Sequence, residues 1–172
     1  VGKNMFSDPG YYTKQQLDAI YSPIHKPATQ QTFKKKNIVI LIVESFGREY
    51  IGKYNEKLEG GKYQGYTPFI DSLLSKSLSF DYTFCNGRKS IDGMPSILSS
   101  IPYFKEPFIL TPSSMNMLSG LAGELANKGY YSAFFHGAEN GSMGFQAYAK
   151  ASGFDAYFGK DEFDNDKRFN GE

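Results

Sequence analysis

The apolar positions of this chain change rhythm at residue 37. Residues 1–36 are polar and irregular, broken by Pro9, Pro23 and Pro27 and closed by the Lys34–Lys36 run. Only Tyr11 to Tyr21 has the spacing of a short helix, and the stretch reads as a lead-in arm. From Ile38 to Val43 six apolar residues follow without interruption, most of them β-branched. That is the pattern of a central parallel strand covered on both faces. Thr67 followed by Pro68 opens a helix with Phe69, Ile70, Leu73 and Leu74 as its apolar face. Leu78, Phe80, Tyr82 and Phe84 then alternate as on a strand.

Ser90 has the character of an N-cap for a helix reaching about Ser100, with Asp92 well placed in its first turn and Pro102 beyond its end. Ser113 or Ser114 would cap the next helix, which carries Leu118, Leu121, Ala122 and Leu125 at helical spacing and stops at Gly129. Tyr130 to Phe135 reads as a strand ending at His136 and Gly137. A short helix over Phe145 to Ala151 is closed by Gly153. Strands alternating with helices predict an α/β fold with a mainly parallel sheet. In such sheets ligands gather beyond the carboxyl ends of the strands. Glu44, the Asn86–Ser90 loop and His136 all fall at predicted strand ends.

Composition narrows the picture little. The 172 residues suffice for one domain with a sizeable core, and 40% hydrophobic with 22% charged residues is an ordinary globular mixture. A formal net charge of +1 makes no electrostatic case for nucleic acid. Fifteen Phe and 13 Tyr, without Trp, are read first as an aromatic core, and second as the lining of a sugar or headgroup site. Cys85 is the single cysteine, so no intramolecular disulfide forms; it is read as a buried, inert thiol. The longest apolar run is far too short to span a bilayer, and no signal peptide is visible. The first residue is Val rather than Met, which leaves room for an upstream membrane anchor. Lys34–Lys36 is a solvated run, with anionic headgroups as its alternative contact.

The candidate chemistry lies in two segments about one βα unit apart. Glu44 follows the apolar run, where an uncompensated buried carboxylate would cost several kcal/mol. A metal ion would offset that cost, and so would a salt bridge to Arg48 or Lys89. Ser90 follows Arg88 and Lys89 and starts a helix, whose N-terminus favours anions. Most serines at such positions are only caps. Here the flanking cations and the preceding strand suit an activated hydroxyl attacking a phosphoryl group. A divalent metal would lower the hydroxyl's pKa further. The Gly-x4-Gly-Lys-Ser/Thr spacing of a nucleotide phosphate loop is absent. His136 fits either a substrate oxygen or a purely structural role, and His25, in the polar arm, is a bystander.

Taken in order, Val43 to Phe46, Thr67 to Leu73, Arg88 to Asp92 and Phe135 to Gly137 resemble successive blocks of the lipoteichoic acid synthase-type proteins. These belong to the sulfatase and alkaline phosphatase-like superfamily. The resemblance covers roughly residues 37 to 160. It implies a three-layer α/β sandwich, with residues 37–172 as the N-terminal part of a catalytic domain incomplete at its C-terminus. It also implies a membrane enzyme whose extracytoplasmic domain transfers phosphoglycerol, or a related headgroup, from a lipid donor to a glycan or lipid acceptor. Carried over by position, Glu44 is a metal ligand, and Ser90 is both the covalent nucleophile and a ligand. Lys89, Arg88 and His136 contact substrate, and the cofactor is one divalent ion, Mn before Mg or Zn.

Three departures qualify this. Ser90 stands where the synthases have threonine. Met143 and Phe145 stand where they have an aromatic Trp and a phosphate-binding Arg, so a bidentate phosphate donor is lost and the resemblance does not fix the headgroup. The family completes its metal site with a later Asp-His pair, and neither His25 nor His136 follows an Asp. A fragment without that pair is expected to be inactive alone. Two rivals stand beside the phosphotransferase. One is a sulfatase, although Ser90 to Met94 lacks the Pro and Arg of the formylglycine-type motif. The other is a non-catalytic glycan-binding module with a degenerate site.

Overall fold

The computed structural model describes residues 10–22 and 32–163. It resolves into two units, Val1–Ile42 and Val43–Glu172. His25 lies outside the described residues.

In the first unit the expected helix forms as α1, Lys14–Ile20. Thr13 and Gln16 build a reciprocal cap: Gln16 N–H donates to Thr13 Oγ1 at 3.2 Å, and Thr13 N–H donates to Gln16 Oε1 at 2.8 Å. Lys14 and Asp18, one turn apart, pair at 2.6 Å on an exposed face. Lys34–Lys36 is exposed.

Ile38 to Val43 departs from its covered-strand pattern. The segment forms no strand, and its side chains are exposed, Leu41 by 82% and Val39 by 79%. Leu78 to Phe84, the second predicted strand, is likewise irregular and exposed. The pattern of a sequence reports which residues would fit a pleated, covered surface. A strand also needs a hydrogen-bonded neighbour, and among the described residues none pairs with either segment.

The second unit holds the remaining elements. Helix α2, Pro68–Leu74, starts with Pro68 as expected. Thr67 does not cap it through its side chain; its hydroxyl reaches Tyr50 O at 3.4 Å. Helix α3, Ser90–Ser99, begins one residue earlier than a Ser90 cap requires, so Lys89 occupies the N-cap and Ser90 the first turn. It ends at Ser100 in the left-handed region, φ 55°. No α-helix starts at Ser113 or Ser114: Pro112–Met115 is a 3-10 turn, and α4, Leu121–Ala126, begins after Gly120.

A βαβ unit follows. Strand β1, Ala133–Phe135, leads through α5, Phe145–Ala151, to β2, Ala156–Phe158. The strands are parallel, with Phe134 opposite Tyr157; the intervening helix supplies the crossover that parallel pairing requires. Strand β2 was not expected from the sequence. It is registered by Asp155, whose Oδ2 accepts from Ser132 N–H at 2.7 Å and from Ser132 Oγ at 2.9 Å. Helix α6, Lys160–Phe163, follows directly.

The core of this unit gathers Ile91, Met94 and Leu98 of α3, Phe134 of β1, and Phe145 and Tyr148 of α5. Phe134 stacks on Tyr157 at 5.7 Å and meets Phe154 edge-on at 5.4 Å, geometries that aromatic pairs prefer. Tyr148 is 1% exposed, and its hydroxyl bonds Ser99 Oγ at 2.6 Å. That contact ties α5 to the end of α3. The apolar face of α3 is thereby fixed on the βαβ unit, and its first turn is held in place. No helix among the described residues is long and apolar enough to cross a membrane.

Candidate active site

The loop before α3 is shaped by a left-handed glycine and a buried acid. Gly87 has φ +85°, and an added Cβ would collide with the side chain of Asp92. Asp92, 5% exposed, turns back from α3, and its Oδ2 accepts from the N–H groups of Arg88 and Lys89, each at 3.3 Å. At the loop's start Asn86 Oδ1 accepts from Tyr103 N–H and, at 3.4 Å, from Ser96 Oγ. The loop is therefore pinned to α3 at both ends, and Ser90 leaves it half-buried.

The Ser90 hydroxyl meets Glu44. Ser90 Oγ donates to Glu44 Oε1 at 3.3 Å, across 46 residues of sequence. Met143 Sδ lies 3.9 Å from the same hydroxyl. Two of the four non-glycine residues with positive φ among the described residues border this point: Ser45, beside Glu44, and Met143, both at φ 51°. Such conformations cost of order 1–3 kcal/mol each and cluster at functional sites.

Glu44 departs from its expected surroundings. It is exposed rather than buried at a strand end, so it carries no desolvation cost that a metal or a salt bridge would have to offset. Of its two expected ionic partners, Arg48 instead holds Asp81, through the backbone oxygen at 2.6 Å and the carboxylate at 3.7 Å. Arg88 and Lys89 lie in the loop beside Ser90 with exposed side chains. Cys85 is exposed rather than buried, its Sγ 3.4 Å from Gly87 O.

His136 ends β1 as expected, its N–H donating to Phe158 O at 2.9 Å. Its Nδ1 is 3.0 Å from the Tyr157 hydroxyl, and its ring lies 4.9 Å from that of Phe145. Burial, then the negative charge of Glu162, pushes the Tyr157 phenol up, so it stays protonated as a partner for the imidazole. Met143 beside Ser90 and Phe145 beside His136 lie two residues apart, so one turn carries neighbours of both groups.

Sequence reasoning missed three supports: Asn86, Tyr157 and the inward turn of Asp92. The last had a legible signal, an acid in the third helical position, which commonly reaches back to cap amides. The other two act through tertiary contacts and had none.

Glu44 and Ser90 place two oxygen donors together, the ligand chemistry of a hard or borderline divalent cation. Among the described residues no group of three or more His, Cys, Asp or Glu side chains gathers to complete a shell. The described residues thus bring two oxygen donors together without forming a metal site.

Helices packed on a parallel βαβ unit, with a hydroxyl at the head of a helix, define an α/β protein. The fold agrees with a solved structure, a protein in the alkaline phosphatase superfamily from Vibrio parahaemolyticus. That likeness has a TM-score of 0.59 at 19% identity, over 70% of this chain and 28% of the other, so this chain spans little more than a quarter of that protein's length. A family model described as Sulfatase matches residues 36–172, and the chain belongs to the sulfatase family. The chain is thus sulfatase-like, with a fold shared with a protein of the alkaline phosphatase superfamily; proteins of this kind are generally enzymes and generally use a divalent metal.

Proposed function

We propose that the protein is the metal-dependent phosphoester enzyme that the sequence motifs imply, transferring or hydrolysing a phosphorylated headgroup through a covalent Ser90 intermediate. The observation that carries this is the Ser90 Oγ–Glu44 Oε1 contact at 3.3 Å. It joins the two residues that the motif blocks single out, although they lie 46 positions apart.

In the proposed reaction, Ser90 Oγ attacks phosphorus and its proton leaves toward Glu44 or solvent. The new O–P bond forms as the bond to the leaving alkoxide breaks, and that alkoxide takes a proton from water. An acceptor hydroxyl or water then attacks phosphorus, the bond from phosphorus to Ser90 Oγ breaks, and the proton given up by the attacking group offsets the one that restores the serine hydroxyl. Arg88 and Lys89, one and two residues before the nucleophile, supply positive charge for the phosphoryl oxygens. His136, held by Tyr157, orients a substrate oxygen. The cation, Mn²⁺ by the resemblance, would take Glu44 and Ser90 among its ligands and would neutralise developing negative charge. The donor would be a lipid-linked phosphate and the acceptor a glycan or lipid. The reading places the domain outside the cytoplasmic membrane, attached through a segment beyond this chain.

Hydrolysis of sulfate esters is the second reading, favoured by the family match over residues 36–172. The two part in one assay of the full-length protein with Mn²⁺, using bis(p-nitrophenyl) phosphate and p-nitrophenyl sulfate. Turnover of the phosphate diester, abolished by Ser90→Ala, and a mass increment on Ser90 after quenching are expected. Turnover of the sulfate alone would transfer the assignment to a sulfatase. Equal phosphate turnover in the serine variant would remove the covalent mechanism. Inertness toward both would favour a binding module.

A further inference from the structure

Asp92 does more than its place in a helix requires. A side chain 5% exposed and carrying a carboxylate is costly to bury, and such groups are kept where their oxygens are used. Oδ2 has its two donors in the Arg88 and Lys89 amides, at 3.3 Å each. Oδ1 is buried with no partner among the described residues. The donors of Oδ2 are the two residues immediately before Ser90, and the glycine before those has no room for a side chain because Asp92 fills that space. The apolar packing of α3 is carried by Ile91, Met94 and Leu98, so the acid serves the amides at the head of the helix rather than the core.

We propose that Asp92 is a positioning residue, which acts through the Gly87–Lys89 backbone to fix where the Ser90 hydroxyl points. This rests on the reading of Ser90 as nucleophile. Without the carboxylate, two loop amides lose their acceptor, so the loop relaxes and Ser90 Oγ drifts from Glu44. Misplacing a reacting group by about 1 Å costs on the order of a hundredfold in rate. The mechanism needs one oxygen, not the charge. Asn in place of Asp92 keeps an acceptor at the Oδ2 position and puts its NH2 where Oδ1 has no donor to lose.

The test compares Asp92→Ala, Asp92→Asn and Gly87→Ala in the full-length protein, with kcat and KM measured on bis(p-nitrophenyl) phosphate and folding checked by circular dichroism. Asp92→Ala is expected to lower kcat on the order of a hundredfold, with KM changed less than about threefold. Asp92→Asn should recover most of that loss. Gly87→Ala should lower kcat alike, and the pair Gly87→Ala with Asp92→Ala should lose little more than either alone, since both break one clamp. A folded Asp92→Ala with kcat near wild type overturns the proposal, and so does an Asn variant as slow as the Ala variant. If Asp92→Ala does not fold, Gly87→Ala decides in the same way, because it leaves the acid in place.

If the wild type turns over no phosphate ester, the nucleophile reading fails on its own. Amide hydrogen exchange at Arg88 and Lys89 then reads the clamp directly. Faster exchange in Asp92→Ala than in wild type and Asp92→Asn supports it, and equal exchange overturns it.

Discussion

Met143 is the residue whose setting the sequence least foretold. Its backbone is held at φ 51° between the left-handed Gly141 and Gly144, and its thioether rests 3.9 Å from the Ser90 hydroxyl. On the proposed reading, this flexible apolar side chain would lie against a phosphoryl substituent bound at Ser90. Replacing it with a guanidinium would offer a planar, bidentate donor to phosphate. Met143→Arg is therefore expected to lower KM for a phosphate diester roughly tenfold, about the worth of one charge-assisted hydrogen bond, with kcat altered much less. Steady-state kinetics on the full-length protein check this. An unchanged KM would show that the side chain does not border the bound headgroup.

The βαβ unit is registered by polar clasps at its edges as much as by its aromatic interior. Hydrogen bonds from the Ser132 backbone and hydroxyl hold the Asp155 carboxyl below its usual value of 3.8. Bonds from the Asn140 side chain and the Gly159 amide do the same for Glu162, whose usual value is 4.5. A depressed carboxyl pKa means that the folded form prefers the ionised group. Its stabilisation is complete above the unfolded value and disappears as pH falls through the lower folded one. The unit should therefore keep full stability above about pH 5 and lose part of it below about pH 4. Asp155→Asn should flatten that decline, as thermal midpoints measured from pH 6 down to pH 3 would show. A variant declining as steeply as wild type would assign the acid sensitivity elsewhere.

These same elements show what the sequence could convey. The helices at Lys14, Pro68 and Phe145 were legible because caps, an initiating proline and apolar spacing are local signals. The α/β class followed from the alternation of elements, and Glu44 and Ser90 from short motifs. Strand β2 was not legible, because its register depends on Asp155 meeting Ser132, 23 residues away. Ile38 to Val43 erred in the other direction: a strong covered-strand pattern lies exposed where no neighbouring strand pairs with it.

For the whole molecule, the incomplete donor set has a measurable consequence. With two oxygens at hand and no cluster of three ligands among the described residues, this chain should bind Mn²⁺ weakly. A calorimetric titration is expected to give a shallow isotherm, and Glu44→Ala should abolish what binding there is. Tight one-to-one binding, or binding indifferent to Glu44, would relocate the metal.

The contact between the two oxygens also sets a timetable. A ribosome adding about 5–20 residues per second releases position 90 some seconds after position 44, since 46 residues separate them. The newborn polypeptide therefore carries its carboxylate well before the alcohol that will face it. On the proposed reading, the nucleophile and its carboxylate neighbour cannot meet until both segments have been made.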